Sequence, residues 1–330
     1  MPASTKTPEG HPYRLMFSRL ILAAGLVSFA VLIWKFDPAL VWAQVSAVGL
    51  GILILLPIHI VDHAFGALAW KFTFSPEDAR ALPFWTLVKV RIAGDGVNYL
   101  TPSGTIAGEL VRPGMLGDLR PEEVKNASVV LTKITQSLAQ ALFILLGLGF
   151  VLWESPEFLR GGKLRGGLAV AVLIMCGMGA VLYLLARKNG AKKHGLLSRV
   201  LPEGAFGTMR EQVRASLRRH PGRLALSTLC FMAAYAWGAV EAYLICRFLG
   251  RHVSAGTALS IEILSNLFDM AAFMVPAKVG VQEASKAVIF RGLGYPASQG
   301  LAFGLIRHLR ELVWSGAGFL MYALSRRRRH

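Results

Sequence analysis

The chain has 330 residues, of which 54% are hydrophobic and only 17% charged, with a mean hydropathy of +0.50 and a formal net charge of +17. A soluble chain carries about a quarter charged residues, so this composition excludes an ordinary soluble domain and fits a polytopic α-helical membrane protein. Its basic residues are clustered: Arg187 to Arg223 holds ten Lys/Arg against two Glu, and the chain ends Arg326-Arg-Arg-Arg329-His330. Such clusters fit cytoplasmic loops and tails beside anionic lipid headgroups, and no nucleic-acid partner is expected.

Residues 1–14 read as a polar, disordered cytoplasmic tail, and 15–325 as one membrane domain. A first helix is predicted over Leu15–Trp34, retained because no small-residue cleavage site follows it, with Trp34 and Trp42 suited to an outer interface. The second, over Val45–Trp70, carries His59, Asp62 and His63 at i, i+3 and i+4, a polar stripe for the bundle interior more than a metal site. No metal or other cofactor is expected. Cys176, Cys230 and Cys246 lie in apolar segments without paired spacing, so neither a disulfide framework nor a zinc site is indicated.

Pro83–Val97 and Ile106–Leu116 are each shorter than the about 20 apolar residues that a crossing needs. Between them Asn98–Gly104 contains Pro102 and should break the helix, leaving a hairpin that enters and returns on the cytoplasmic side. Ser103 or Thr105 is the expected cap of its second arm, whose first amides would make an anion site. A spanning helix follows over Glu123–Trp153, with Thr132, Lys133, Thr135, Gln136, Ser137 and Gln140 expected to line a cavity.

Glu154–Arg165 reads as a periplasmic loop, Leu168–Leu185 as the return helix, and 187–223 as a basic cytoplasmic segment. Val213, Leu217 and Leu224 among its arginines point to an interfacial amphipathic helix. A span over Leu224–Cys246 carries Glu241. Two arms, Thr257–Val275 with Glu262, Asn266 and Asp269, and Val279–Leu293, flank Pro276. Ser298–Ser325 must then cross to bring the arginine tail, residues 326–330, to the cytoplasm.

The two proline breaks match. Pro102 precedes Glu109, Arg112 and Lys133 by 7, 10 and 31 residues. Pro276 precedes Glu283, Lys286 and Arg307 by the same intervals, 174 residues on. The fold expected is therefore all-α, an inverted-topology repeat with two re-entrant broken-helix hairpins, repeat one over about 45–153 and repeat two over about 224–325. Four cations against two carboxylates would give a midplane cavity an excess of positive charge, suited to an anionic headgroup. The Glu109–Arg112 and Glu283–Lys286 spacings equally suit local ion pairs that lock each hairpin. The candidate substrate-binding residues are Asn98, Pro102, Glu109, Arg112, Lys133, Pro276, Glu283, Lys286 and Arg307, and Asp62, Glu241 and Asp269 are candidates for ion coupling. No nucleotide loop, specific metal motif or nucleophile elbow is present, so no catalysis is expected.

The stretches Asn98-Tyr-Leu-Thr-Pro-Ser-Gly-Thr-Ile-Ala-Gly-Glu109, Ala127-Ser-Val-Val-Leu-Thr-Lys133, Val275-Pro-Ala-Lys-Val-Gly-Val-Gln-Glu283 and Arg307-His-Leu-Arg-Glu-Leu-Val-Trp314 resemble the flippase-like membrane domain of lysylphosphatidylglycerol synthases. That family includes stand-alone members linked to hopanoid biosynthesis. Lys278 stands where a small residue is expected after Pro-Ala. The resemblance implies a bacterial inner-membrane protein that moves an anionic or isoprenoid lipid between leaflets, without the aminoacyl-transferase domain. Two alternatives remain open. One is an ion-coupled carrier of a small solute. The other is a non-transporting accessory protein that binds a lipid-modifying enzyme through residues 187–223.

Overall fold

The computed structural model describes residues 42–43, 46–101, 107–154, 203–271 and 281–327. Pro102, Ser103, Thr105, Pro276, Lys278, Cys176, the helices expected over Leu15–Trp34 and Leu168–Leu185, and the loop 154–166 beyond Glu154 lie outside the described residues. Everything described is helix or connecting turn, with no strand among the described residues.

Helix α1 runs over Ser46–Thr73, interrupted by a 3-10 turn at Gly49–Gly51 and by Pro57, which cannot donate to the turn before it. Short α2, Pro76–Arg80, starts where the Ser75 hydroxyl accepts from the Asp78 amide at 3.1 Å. Then come α3 (Phe84–Leu100), α4 (Ala107–Met115) and α5 (Glu122–Glu154). Glu122 and Glu123 in the first turn of α5 favour its start through the helix dipole. After α6 (Glu203–Arg219) follow α7 (Pro221–Phe248), α8 (Ala255–Ala271), α9 (Val281–Gly292) and α10 (Ala297–Arg327).

Among the described residues, α1, α5 and α7 are long and apolar enough to cross a bilayer. Helix α10 has 31 residues, about 46 Å of length, but carries Arg307, His308, Arg310 and Glu311 in its middle. All four turn inward, while Leu301, Val313, Leu320 and Leu324 are exposed on its outer side. Comparable apolar faces, Leu110 on α4, Leu146 on α5 and Leu229 on α7, would be a liability in water and are ordinary against acyl chains.

The order long, medium, short, long occurs twice, as α1–α3–α4–α5 and as α7–α8–α9–α10, and neighbour relations recur with it. Helix α1 packs on α7, α3 packs on α10 as α8 packs on α5, and the pairs α3–α4 and α8–α9 are each in contact. Small residues make these approaches close. Gly96 and Gly318 bring the backbones of α3 and α10 together, and a Cβ on Gly108 would stand on the Gly94 carbonyl across the α3–α4 contact. Gly117 and Gly294, at φ of 60° and 85°, turn the chain after α4 and α9 in a conformation other residues rarely adopt.

Three expectations are corrected here. Helix α3 continues three residues beyond the predicted end at Val97, to Leu100. Asn98 is then free to reach across, and its Oδ1 accepts from the Gly108 amide at 2.6 Å, filling one of the donors expected to bind an anion. Part of the polar face of α5 is used between helices and not to line a cavity. Thr132 bonds Thr73 at 3.2 Å and Thr135 bonds Ser227 at 2.8 Å, because buried hydroxyls are satisfied more cheaply between helices than by water. Val213 and Leu217 of α6, with Leu224, pack on Ala127 and Leu131 of α5, so this apolar face is covered by protein and not by the membrane surface.

Candidate functional site

Two clusters of charged side chains occupy the interior, one from each half. In the first, Arg112 of α4 lies between two carboxylates. Its guanidinium donates to Asp95 of α3 and to Glu109 of its own helix, both at 2.5 Å. Lys133 of α5 stands 3.6 Å from the other oxygen of Glu109. Arg91, one turn before Asp95 on α3, is 3.6 Å from that carboxylate, and His63 of α1 approaches it to 3.4 Å. The guanidinium of Arg91 also lies over the Phe231 ring of α7, 5.2 Å from its centroid. Glycines make the room: a Cβ on Gly66 would occupy the place of the Arg91 guanidinium, and one on Gly94 that of Arg112.

In the second cluster Arg307 of α10 holds Glu262 of α8 in a two-pronged pair at 2.5 and 3.0 Å. Asn266 donates to the same carboxylate at 2.8 Å. Lys286 of α9 donates to Asp269 of α8 at 3.3 Å, and His308 lies 2.6 Å from Glu283. Glu241 of α7 is held by Arg310 and by His59 of α1, the latter at 2.9 Å. Glu311 takes Gln282 at 3.0 Å and stands 3.7 Å from Arg307.

The residues named from the sequence are thus brought together in two groups. Asn98, Glu109, Arg112 and Lys133 sit around the α3–α4–α5 contact, and Glu283, Lys286, Arg307 and Asp269 around α8–α9–α10. Glu109–Arg112 is the local pair that the spacing allows, whereas Glu283 turns to His308 and leaves Lys286 to Asp269. Glu241 is buried against Arg310, and Asp62 is half-buried on α1. Pro102 and Pro276 lie outside the described residues.

The candidate site read from the sequence leaves out Asp95, Arg91, Arg310 and Glu311, and names Glu262 only as part of an arm, so the charge balance was not legible. Among the described residues, six Lys/Arg (91, 112, 133, 286, 307, 310) face seven carboxylates (95, 109, 241, 262, 269, 283, 311). Among these residues the expected excess of positive charge falls in the first cluster, where three cations meet two carboxylates, and the second has more carboxylates than cations. Burial explains the correction, since a charge withdrawn from water persists only with a partner. One signal was available. Asp95 and Asp269 share the 174-residue separation, and each lies 17 residues before the cation it binds.

Exposure also separates the two clusters. The Lys133 side chain is 40% exposed and that of Asp95 33%, while every cation of the second cluster is nearly enclosed. The first cluster is thus the more exposed of the two, and the second is largely a set of internal cross-braces.

No curated protein and no solved structure matches the chain. The family model described as lysylphosphatidylglycerol synthase TM region matches residues 16–318, nearly the whole length. With apolar helices long enough to cross a bilayer and charges turned inward, the chain is an all-α polytopic membrane protein, and it belongs to the lysylphosphatidylglycerol synthase transmembrane-region family.

Proposed function

We propose that this protein moves an anionic membrane lipid between leaflets, its headgroup passing the first ionic cluster while its acyl chains stay in the bilayer. The observation that carries this reading is the reachable, net-positive group around Lys133, set among helices whose outer faces are apolar. A phosphate entering there meets the ammonium of Lys133 and can draw Arg112 from its carboxylates, since a guanidinium suits phosphate and carboxylate alike. Family membership supports a role with membrane lipids.

The two helix quartets are read as an inverted-topology duplication whose shorter pairs, α3–α4 and α8–α9, are re-entrant. The basic segment 187–223 and the arginine tail then face the cytoplasm of a bacterial inner membrane and its anionic lipids. The protein acts without covalent chemistry of its own, and a lipid-modifying enzyme is its natural neighbour. Lipid selection is the test. The full chain is reconstituted in vesicles carrying fluorescent phosphatidylglycerol or fluorescent phosphatidylcholine, with a membrane-impermeant quencher outside. Faster exchange of phosphatidylglycerol than in protein-free vesicles, with phosphatidylcholine little affected, is the expected result. Exchange at the protein-free rate for both lipids, or an isoprenoid lipid alone accelerated, would overturn the anionic reading.

A further inference from the structure

The two clusters meet at a pair of histidines. His59 and His63, one turn apart on α1, pack edge to face with centroids 4.9 Å apart, and both rings lie against Trp314 of α10, at 5.8 and 5.0 Å. Each ring faces a different half. His59 Nδ1 lies 2.9 Å from Glu241 of α7, the carboxylate that also holds Arg310. His63 Nδ1 lies 3.4 Å from Asp95 of α3, the carboxylate that also holds Arg112. His63 is 5% exposed, and neither of its ring nitrogens makes a well-formed hydrogen bond among the described residues. The translocase described above uses neither ring.

We propose that His59 and His63 bind a single proton between them, and that the ring holding it decides which of the two ionic clusters is loosened. Two imidazolium rings in contact repel, so a second proton is excluded. With the proton on His63, Asp95 has an extra cation beside it and Arg112 is released in part toward the headgroup site. With the proton on His59, Glu241 is the carboxylate so compensated, and Arg310 loosens in the second half. Each transfer turns one imidazolium back into imidazole as the other forms, and no further reactant is needed.

The groups that bias the pair come from each helix packed on it. Asp95 faces it from α3 with Arg91 behind that carboxylate, Glu241 from α7, and Arg310 and Glu311 from α10. Asp62 belongs to α1 itself, and Lys133 of α5 is linked to Asp95 through Glu109 and Arg112. Each ring thus has its own carboxylate, Glu241 beside His59 and Asp95 beside His63. A histidine between carboxylates inside a membrane protein is the usual material of a proton relay.

The inference rests on the translocase reading only for what the switch drives; the shared proton is testable by itself. The full chain with nitrogen-15 histidine is titrated in lipid nanodiscs from about pH 8 to 5, and ring nitrogen signals are assigned with His59→Gln and His63→Gln. The two rings together should gain one proton in the unaltered protein, and the remaining ring should protonate fully in either variant. A total of two protons, or of none, overturns the proposal. A second arm uses vesicles with fluorescent phosphatidylglycerol. A pH gradient should change its transfer rate severalfold, and His63→Gln should remove that dependence; dependence that survives in both variants overturns the switch. If the unaltered protein moves no lipid while the pair still holds one proton, the shared site stands and the translocase reading falls.

Discussion

At the scale of single residues, positions matched by the 174-residue interval do different work. Arg307 is enclosed and holds Glu262 with two prongs, so Arg307→Met leaves a carboxylate buried without its cation. Removing one partner of a buried pair costs about 3–5 kcal/mol, and the variant should show a markedly lower unfolding temperature in detergent. Lys133 is 40% exposed and only 3.6 Å from Glu109, so Lys133→Met should fold with a loss of at most about 1 kcal/mol. Equal destabilisation of the two would contradict the division into a reachable site and internal braces. Gly66 is a second sensitive residue. A methyl group there meets the Arg91 guanidinium, and Gly66→Ala should cost about 1–3 kcal/mol by overpacking, read by the same melting experiment. The partners that decide these outcomes, Glu262 for Arg307, Glu109 for Lys133 and Arg91 for Gly66, are not at i±4 in the sequence. His59 and Glu241 are 182 residues apart and Arg310 and Glu241 are 69, so periodicity has no access to them.

At the scale of elements, most boundaries were legible and two functions of elements were not. Periodicity and length place α5 at Glu123–Trp153 and the structure has Glu122–Glu154; for α10, Ser298–Ser325 becomes Ala297–Arg327. Long apolar runs bounded by charge are the strongest signal a sequence carries. The end of α3 was misjudged because polar Asn98 reads as a breaker, whereas it is a cross-helix acceptor for the Gly108 amide. Asn98→Ala should therefore cost about 1 kcal/mol, as loss of a helix cap does, and should speed amide exchange at the start of α4 without changing that of α7. Helix α6 was misjudged in its partner. Its apolar residues suit a membrane surface or a neighbouring helix equally, and only the packing on Ala127 and Leu131 distinguishes the two. Val213→Asp should release α6, raising its exchange to that of an isolated helix while α5 stays protected.

At the scale of the whole molecule, the repeated quartet accounts for where charge can be held in an apolar chain. Each medium helix packs on the last long helix of the opposite half, α3 on α10 and α8 on α5, so neither half can close its interior alone. Through that interlock, and through His59 and His63, the two clusters lie along one connected polar core. On the proposed function, the more exposed end of this core, at Lys133, handles the headgroup of an anionic lipid. The most direct measurement is the initial rate of fluorescent phosphatidylglycerol transfer in vesicles holding equal amounts of unaltered, Lys133→Arg and Lys133→Met protein. Lys133→Arg should keep most of the rate and Lys133→Met should fall at least tenfold, about 1.4 kcal/mol of lost stabilisation, while remaining folded. A Lys133→Met protein that transfers the lipid as fast as the unaltered one would contradict that function.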